Sequence, residues 1–263
     1  MKENDTTLNS GAIPNQNLEQ QTNHAIIILA SGLSRRLGEE KQLLCKNGIP
    51  LISHMLKLAA STNPQTLIIV IPKGNASMAN EIAAQSYDHL TVKTVINQIP
   101  ETGMGHSLYI AIEALTHFDS NKDFHCKAVE RVLIMGVDQI LLEYKHVNEL
   151  LADKHLVVAS GYEHWQLSDT WAKDEHVERK ANASHESTNF IIGLPLVIDY
   201  LLLKQWQPTL NGDKGLRHLI RALPPHQLTA VINPKLSFDI DTPGQLAYAR
   251  QQGWVDDALC GET

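Results

Sequence analysis

A short segment near residue 30 carries the residue types of an anion-binding loop. Residues 29–41, here called the basic loop, read LASGLSRRLGEEK. A glycine lets the backbone approach a ligand, small serines donate hydrogen bonds, and an arginine and a lysine bring charge that neutralises a polyphosphate. The residues with these properties are Ser31, Gly32, Ser34, Arg36 and Lys41. From composition alone, an ordinary strand-to-helix connection with a solvated charge run explains the segment equally well.

A single carboxylate stands out farther along the chain. Asp138 follows the apolar run RVLIM at residues 131–135, from which Gly136 and Val137 separate it. Mg²⁺ in nucleotide-dependent enzymes takes one or two carboxylates together with phosphate oxygens, and a carboxylate at the end of a buried strand offers such a ligand. An aspartate that only forms a turn after a strand is the competing interpretation.

The apolar pattern predicts the scaffold that would position these residues. Short apolar runs alternate with helical patterns, which indicates βαβ units and an α/β fold, a doubly wound, mostly parallel sheet in a three-layer αβα arrangement. Ligands bind such sheets beyond the carboxyl ends of the strands, where the basic loop and Asp138 both lie. Strands are predicted at 25–30, 67–71, 92–96, 131–135, 156–160 and 228–232. Helices are predicted at 51–60, 77–85, 105–115, 196–206, 215–223 and 243–252.

Composition narrows the function classes. The chain has 263 residues and a formal net charge of −7, which argues against a general affinity for nucleic acid or for anionic membranes. No segment reads as a membrane span or a signal peptide, so a cytoplasmic protein is expected. The basic loop matches neither G-x-x-x-x-G-K-S/T nor G-x-G-x-x-G, which argues against a P-loop or a dinucleotide-binding fold.

The pattern divides the chain into one domain with polar additions. Residues 1–23 are predicted to be a disordered tail, 24–252 the domain, and 253–263 a C-terminal tail. Residues 163–189 are rich in charged and small polar side chains and are predicted to be a flexible insertion, with a substrate lid as the alternative. The three cysteines, Cys45, Cys126 and Cys260, are far apart and are predicted to be free thiols.

The basic loop, taken as a whole string, resembles the opening signature of the MobA/MocA-like nucleotidyltransferases, LAAGxSxRMGxxKxLL. Ser31 and Leu37 depart from that signature. The resemblance implies a Rossmann-like fold of the nucleotide-diphospho-sugar transferase type, with the loop wrapped around a triphosphate and catalytic roles for Arg36 and Lys41. The positions that it assigns to nucleotide binding in this loop are Leu29, Ala30, Ser31, Gly32, Ser34, Arg36 and Lys41.

Five further segments resemble family elements, in the expected order along the chain. NQIPETGMGHSL is similar to a nucleotide-binding element, which adds Asn97, Gly103 and Ser107. VDQ is similar to an element whose aspartate holds the metal, which gives Asp138 a catalytic and metal-binding role. FDIDTP adds Asp241 as a second metal ligand, with Asp239 as the alternative. The segments IGLP and NGDKGLR are similar to elements that face the acceptor, and they contribute Gly193, Lys214 and Arg217.

The resemblance implies a nucleotidyltransferase that uses Mg²⁺ or Mn²⁺ and releases pyrophosphate. The version of the signature found here is most like the molybdenum cofactor cytidylyltransferases, so CTP and molybdopterin are the first expectation for donor and acceptor. A GTP-dependent molybdopterin enzyme, or one acting on a sugar- or alcohol-phosphate, is the second. A non-catalytic protein that carries the cofactor to a molybdoenzyme partner is the third.

Overall fold

The computed structural model describes residues 23–87, 90–121, 127–162, 191–210, 212, 215–257 and 260. Within these ranges the chain forms the predicted mostly parallel sheet, with seven strands, and a separate two-stranded hairpin. The strands are β1 (His24–Leu29), β2 (Cys45–Lys46), β3 (Ile49–Pro50), β4 (Thr66–Pro72), β5 (Thr91–Asn97), β6 (Arg131–Met135), β7 (Val157–Tyr162), β8 (Ile191–Asp199) and β9 (Leu228–Ile232). The α-helices are α1 (Leu51–Ala60), α2 (Ala76–Ala83), α3 (Met104–Ser120), α4 (Tyr144–Ala152), α5 (Tyr200–Trp206), α6 (Arg217–Arg221) and α7 (Pro243–Gln251).

Strand β1 lies inside the sheet, whose strand order is β5-β4-β1-β6-β8-β7-β9. Its side chains alternate between two cores, because Ile26 and Ile28 pack with the α1 side and Ala25 and Ile27 pack with the α3 side. All four are fully buried. Helices on both faces leave no exposed side for a polar residue, which explains the continuous apolar run of this strand.

The carboxyl edge of the sheet collects the predicted site segments. Strands β1, β4, β5 and β6 are parallel, so their carboxyl ends meet at the same edge. The basic loop leaves β1 at this edge, Asn97 is the last residue of β5, and Asp138 comes three residues after the end of β6. The fold thereby brings together positions that are far apart in sequence, and Lys41 and Asp138 are separated by 97 residues.

The predicted helix at 196–206 is wrong in its first half. Residues up to Asp199 belong to β8, which runs antiparallel to both β6 and β7, and only Tyr200–Trp206 is helical. Leu196 and Ile198 pack into the α3 core and Val197 into the α1 core. That alternation is a strand period, which a continuous apolar run hides. The hairpin of β2 and β3 and the helix α4 were not predicted.

The prediction of free thiols is wrong for two of the three cysteines. Cys45 and Cys260 form a disulfide with a Cα–Cα distance of 5.7 Å. The chain after α7 returns to the β2–β3 hairpin, where the Asp256 carboxylate accepts the N–H groups of Asn47 and Gly48. A separation of 215 residues gives sequence spacing no means of showing the pair. Cys126 lies outside the described residues.

Two predicted segments fall wholly or almost wholly outside the described ranges, namely the tail at 1–23 and the insertion at 163–189. In the part of the chain that is described, no helix has both the length and the hydropathy needed to cross a membrane.

Candidate active site

Two cations of the basic loop meet three carboxylates at the carboxyl edge of the sheet. Nζ of Lys41 donates to Oδ2 of Asp138 at 2.8 Å and to Oδ1 of Asp241 at 2.9 Å. Nη2 of Arg36 donates to Oδ2 of Asp241 at 2.7 Å. Asp239 lies near enough for the charges of Asp138 and Asp241 to act on its carboxyl group. The structure thus gathers the predicted charged residues from three separate parts of the chain.

The shape of the basic loop comes from a turn centred on Ser34. The backbone of Ser34 has a φ of 49°, and that of Gly38 a φ of 81°. The Ser34 carbonyl accepts the N–H groups of Leu37 and Gly38 at 3.0 Å each, and its Oγ accepts the Lys41 N–H at 3.3 Å. Leu37 is buried in the core beneath. This turn fixes the backbone positions from which the side chains of Arg36 and Lys41 extend.

Gln42 fastens the start of the loop from below. Its Nε2 donates to the carbonyl of Ala30 at 2.8 Å and to that of Gly32 at 2.7 Å, and the residue is only 2% exposed. Because both carbonyls bond to the same amide group, the backbone between Ala30 and Gly32 is held in one conformation. Gln42 was not among the residues predicted from the sequence. The sequence shows only a polar residue directly after Lys41, and its burial becomes apparent in the fold.

Gly32 lies beside open space in the part of the chain that the structure describes. Among the described atoms, none lies within 4 Å of the position that a Cβ on Gly32 would take. Its φ is not in the positive range either, so neither backbone strain nor packing calls for glycine. The described residues therefore leave room for a ligand to approach the backbone at Gly32, which is what the sequence led us to expect of this position.

A buried hydroxyl network joins the basic loop to α3 and β5. Oγ of Ser31 and Oγ of Ser107 are 2.6 Å apart, and Nδ2 of Asn97 donates to Ser107 at 3.0 Å. The Asn97 side chain also accepts the Ile99 N–H at 2.9 Å. Gly103, with a φ of 94°, makes the turn into α3. The predicted nucleotide-binding residues from the two segments therefore contact one another directly.

The carboxylates differ in their proton affinity. Burial, and then the negative charges of Asp138 and Asp241, raise the pKa of Asp239 to about 8, with Lys41 acting in the opposite direction. Burial alone would raise the pKa of Asp241, but hydrogen bonds and charge from Lys41 and Arg36 lower it below its ordinary value. Burial likewise opposes the charge on Lys41, yet Asp138 and Asp241 raise its pKa above the usual range. Near neutral pH Asp239 is therefore mostly protonated, whereas Asp241 stays ionised beside its two cations.

The donor set of this cluster fits a hard divalent cation. Asp138 and Asp241 supply carboxylate oxygens on two sides of one position, and Mg²⁺ or Mn²⁺ accepts one or two carboxylates with phosphate oxygens as further ligands. A cation bound there would also favour the ionised form of the buried Asp239 carboxyl group, whose pKa burial and the neighbouring carboxylates raise. Over the described ranges, no three His, Cys, Asp or Glu side chains form a ready metal-binding group. Two carboxylates plus the oxygens of a bound ligand are the arrangement that these residues allow.

Two of the three predicted acceptor residues, Gly193 and Arg217, lie near Tyr162, a residue that was not predicted from the sequence. A Cβ on Gly193 would lie 2.2 Å from Oη of Tyr162, so glycine is needed for the tyrosine to lie where it does. Burial, and then the charges of Asp239 and Asp138, raise the pKa of Tyr162 to about 12, while Arg217 acts in the opposite direction. Tyr162 is thus near both the carboxylates and the predicted acceptor residues.

Gln139 and Lys214 are two further residues on the predicted acceptor side. Gln139 directly follows Asp138, and its Nε2 donates to the carbonyl of Leu194. This bond ties the turn that carries Asp138 to β8. Lys214, the remaining predicted acceptor residue, lies outside the described residues.

Comparison with known proteins gives consistent matches. The family model described as "MobA-like NTP transferase domain" matches residues 26–228. The bifunctional protein GlmU of Coxiella burnetii is 27% identical over 202 residues, which cover 72% of this chain and 41% of that protein. The chain spans between about one fifth and two fifths of the length of the curated relatives that it matches.

Solved structures share the fold. The 4-diphosphocytidyl-2C-methyl-D-erythritol synthase of Anaerococcus prevotii superposes with a TM-score of 0.60 at 16% identity, covering 88% of this chain and 96% of that one. The Rv0371c protein of Mycobacterium tuberculosis, solved in complex with manganese, has a TM-score of 0.52 at 19% identity, covering 86% and 97%. At these identities the likeness establishes a Rossmann-like nucleotide-diphospho-sugar transferase fold.

Proposed function

The chain belongs to the family of MobA-like NTP transferase domains, and from this premise we propose that it transfers a nucleoside monophosphate from an NTP to a phosphate-bearing acceptor. The observation that carries the proposal is the meeting of Lys41 with Asp138 and Asp241 at the carboxyl edge of the sheet. One group of residues there offers positive charge for a polyphosphate and carboxylate oxygens for a divalent metal.

The proposed reaction forms a bond between an acceptor phosphate oxygen and the α-phosphorus of the NTP. The bond between the α-phosphorus and its bridging oxygen breaks, and pyrophosphate leaves with the electron pair. Positioning and charge neutralisation supply most of the rate enhancement in such transfers. Arg36 and Lys41 neutralise the leaving pyrophosphate, and backbone donors of the basic loop orient the phosphates.

Asp138 and Asp241 would hold the divalent metal, which when bound supplies positive charge at the phosphate oxygens. The hydroxyls of Ser31 and Ser107 fix the basic loop against the start of α3, where the helix favours negative charge. Manganese bound to a structural neighbour supports a divalent cation here. Mg²⁺ is the proposed physiological ion, and a cytoplasmic location is part of the same proposal.

The first proposal for the substrates remains CTP and molybdopterin, which rests on the resemblance of the basic loop. The alternative is GTP, or a sugar- or alcohol-phosphate acceptor. The synthase of Anaerococcus prevotii is named for a cytidyl-containing product of an alcohol, and this supports CTP more than GTP while leaving the alcohol-phosphate acceptor open. A carrier of the cofactor to a molybdoenzyme partner is the non-enzymatic alternative.

Pyrophosphate release with each of the four NTPs, measured with and without molybdopterin, separates these proposals. Release with CTP that requires molybdopterin supports the first. Release with GTP supports a guanylyltransferase, and release only after addition of a sugar- or alcohol-phosphate identifies that acceptor class. Tight molybdopterin binding without release from any NTP contradicts an enzyme and supports a carrier.

A further inference from the structure

Lys41 is more enclosed than Arg36, the other cation that contacts the carboxylates. Its side chain is 14% exposed and contacts Asp138 and Asp241 at once, whereas the side chain of Arg36 is 74% exposed and contacts Asp241 alone. An ammonium within 3 Å of two carboxylate oxygens from separate loops occupies the position between them. That position is also the one where a metal on the same two oxygens would lie.

We propose that Lys41 holds this cation position in the ligand-free protein and keeps the divalent metal out until an NTP binds. The inference rests on the proposed function, which assigns Asp138 and Asp241 to the metal. A metal ion about 2.1 Å from both oxygens could not share the space with an ammonium that lies within 3 Å of the same two atoms. Metal and Lys41 therefore compete for one pair of ligands.

The basic loop contains what is needed to reverse this competition. Lys41 and Arg36 both belong to the loop whose backbone is open above Gly32. Phosphates that approach there place new negative charge beside both side chains, and flexible lysine and arginine side chains can turn toward it. Asp138 and Asp241 then lose the positive charge of Lys41 and Arg36, and the divalent metal binds to their carboxylates instead. Nucleotide and metal should bind with positive coupling.

Mn²⁺ binding to the nucleotide-free full chain tests this directly, with electron paramagnetic resonance reporting the free ion. Lys41→Met should bind Mn²⁺ more tightly than the wild-type protein, by on the order of tenfold or more, because the competing charge is gone. Lys41→Arg keeps the charge and should stay as weak as wild type. Asp138→Asn in the Lys41→Met background should abolish the gain.

Lys46→Met is the matched control for the loss of a nearby lysine. Nζ of Lys46 donates to the carbonyl of Ile140 at 2.8 Å, two residues beyond Asp138. Its loss should leave Mn²⁺ affinity as it is in the wild type. If Lys46→Met tightened Mn²⁺ binding as much as Lys41→Met, the gain would be a general effect of charge, and the proposal would be overturned.

A second arm separates this proposal from the function on which it rests. It measures binding of the Mn²⁺ complex of α,β-methylene CTP to the wild-type, Asp138→Asn and Lys41→Met proteins. If Asp138→Asn weakens that binding while Lys41→Met does not tighten nucleotide-free Mn²⁺ binding, the metal site stands and the exclusion by Lys41 is wrong. If Asp138→Asn changes binding in neither arm, the assignment of the metal to Asp138 fails, and this proposal with it.

Discussion

The two halves of the candidate site are built in different ways. The nucleotide side, meaning the basic loop with Gln42, Asn97 and Ser107, is held by short hydrogen bonds between buried polar groups. The acceptor side, meaning Tyr162, Gly193 and Arg217, depends on the packing of an aromatic ring over a glycine and on longer-range charge. Fixed donors suit a triphosphate that must stay in line for transfer. Substitutions on the acceptor side can change the shape of that side, and thus the acceptor that fits, without disturbing the nucleotide side.

Asp138 joins the two halves, and its loss should have the largest effect. Asp138→Ala removes one of the two carboxylates around Lys41 and a proposed metal ligand, so turnover should fall by about 10²–10³-fold. The side chain is 30% exposed, so the fold should be retained. Steady-state pyrophosphate release and a thermal melt measure the two quantities. Unchanged turnover would remove Asp138 from the metal site.

The control for that variant is a carboxylate with a surface ion pair of its own. Glu143 pairs with Lys235 at 2.8 Å, and both side chains are more than half exposed. Glu143→Ala should leave turnover within about twofold of wild type, because exposed ion pairs contribute little.

Two buried glutamines allow the halves to be disturbed separately. Gln42→Leu leaves the carbonyls of Ala30 and Gly32 without their donor, which should cost about 1–3 kcal/mol of stability and raise KM for the NTP roughly tenfold. Gln139→Leu removes a single hydrogen bond, to the Leu194 carbonyl. It should raise KM for the acceptor and leave KM for the NTP unchanged. Steady-state kinetics with each substrate varied in turn measures both.

If the two halves are independent, Gln42→Leu should raise KM for the NTP alone and Gln139→Leu should raise KM for the acceptor alone. If Gln42→Leu and Gln139→Leu raised both KM values equally, the site would respond as one unit and the division would be wrong. Gln139→Leu should cost less stability than Gln42→Leu, since Oε1 of Gln139 is buried with no hydrogen-bond partner among the described residues. A leucine there removes an unsatisfied atom as well as a bond.

The sequence predicted the parts of the molecule that follow a local rule. A strand buried on both faces shows as a continuous apolar run, so β1 and β6 were located within a residue. The helix α1 was predicted to the residue. β8 was not, because a run such as Leu196–Ile198 fits a helix or a buried strand equally, and pairing with β6 and β7 decides between them.

The candidate site divides along the same line. Arg36, Lys41 and Asp138 have residue types suited to phosphate and metal chemistry, and each follows a strand that could be predicted locally, so the sequence placed them at one edge of the sheet. Tyr162 gives no such signal, because its place over Gly193 results from the pairing of β7 with β8. The Cys45–Cys260 pair depends in the same way on a chain end that folds back over a long separation. The contacts between residues that are far apart in the chain could not be predicted from the sequence, whereas most local elements could.

A smaller effect is expected when the wall of the acceptor side is moved. Gly193→Ala places a Cβ 2.2 Å from Oη of Tyr162 and 3.0 Å from its Cζ, so the ring must shift. KM for the acceptor should rise several-fold, on the order of 1 kcal/mol in binding, with KM for the NTP unchanged. Tyr162→Phe in the same chain removes the atom of closest contact and should restore part of the affinity. No restoration would mean that the glycine serves the backbone and not the ring.

The smallest effect concerns a histidine beneath the acceptor side. Oγ of Ser160 donates to the carbonyl of Pro195 at 2.7 Å, and Nε2 of His146 lies 2.8 Å from the same Oγ. Burial lowers the pKa of His146 below its ordinary value of 6.5, with Glu149 acting in the opposite direction. The unfolded chain therefore binds this proton more readily than the folded one. Stability should be unaffected above about pH 7 and should fall as the pH drops below 6.5.

Urea unfolding of the wild-type and His146→Gln proteins at about pH 7.5 and pH 5.5 measures this contribution. The wild-type protein should lose more stability than the variant between the two pH values, because glutamine can donate to Ser160 without titrating. Since the histidine supports β8 and not the basic loop, KM for the acceptor should rise before KM for the NTP as the pH falls. If KM for the NTP rose first, protonation would be acting on the nucleotide side, and the two halves would not be supported independently.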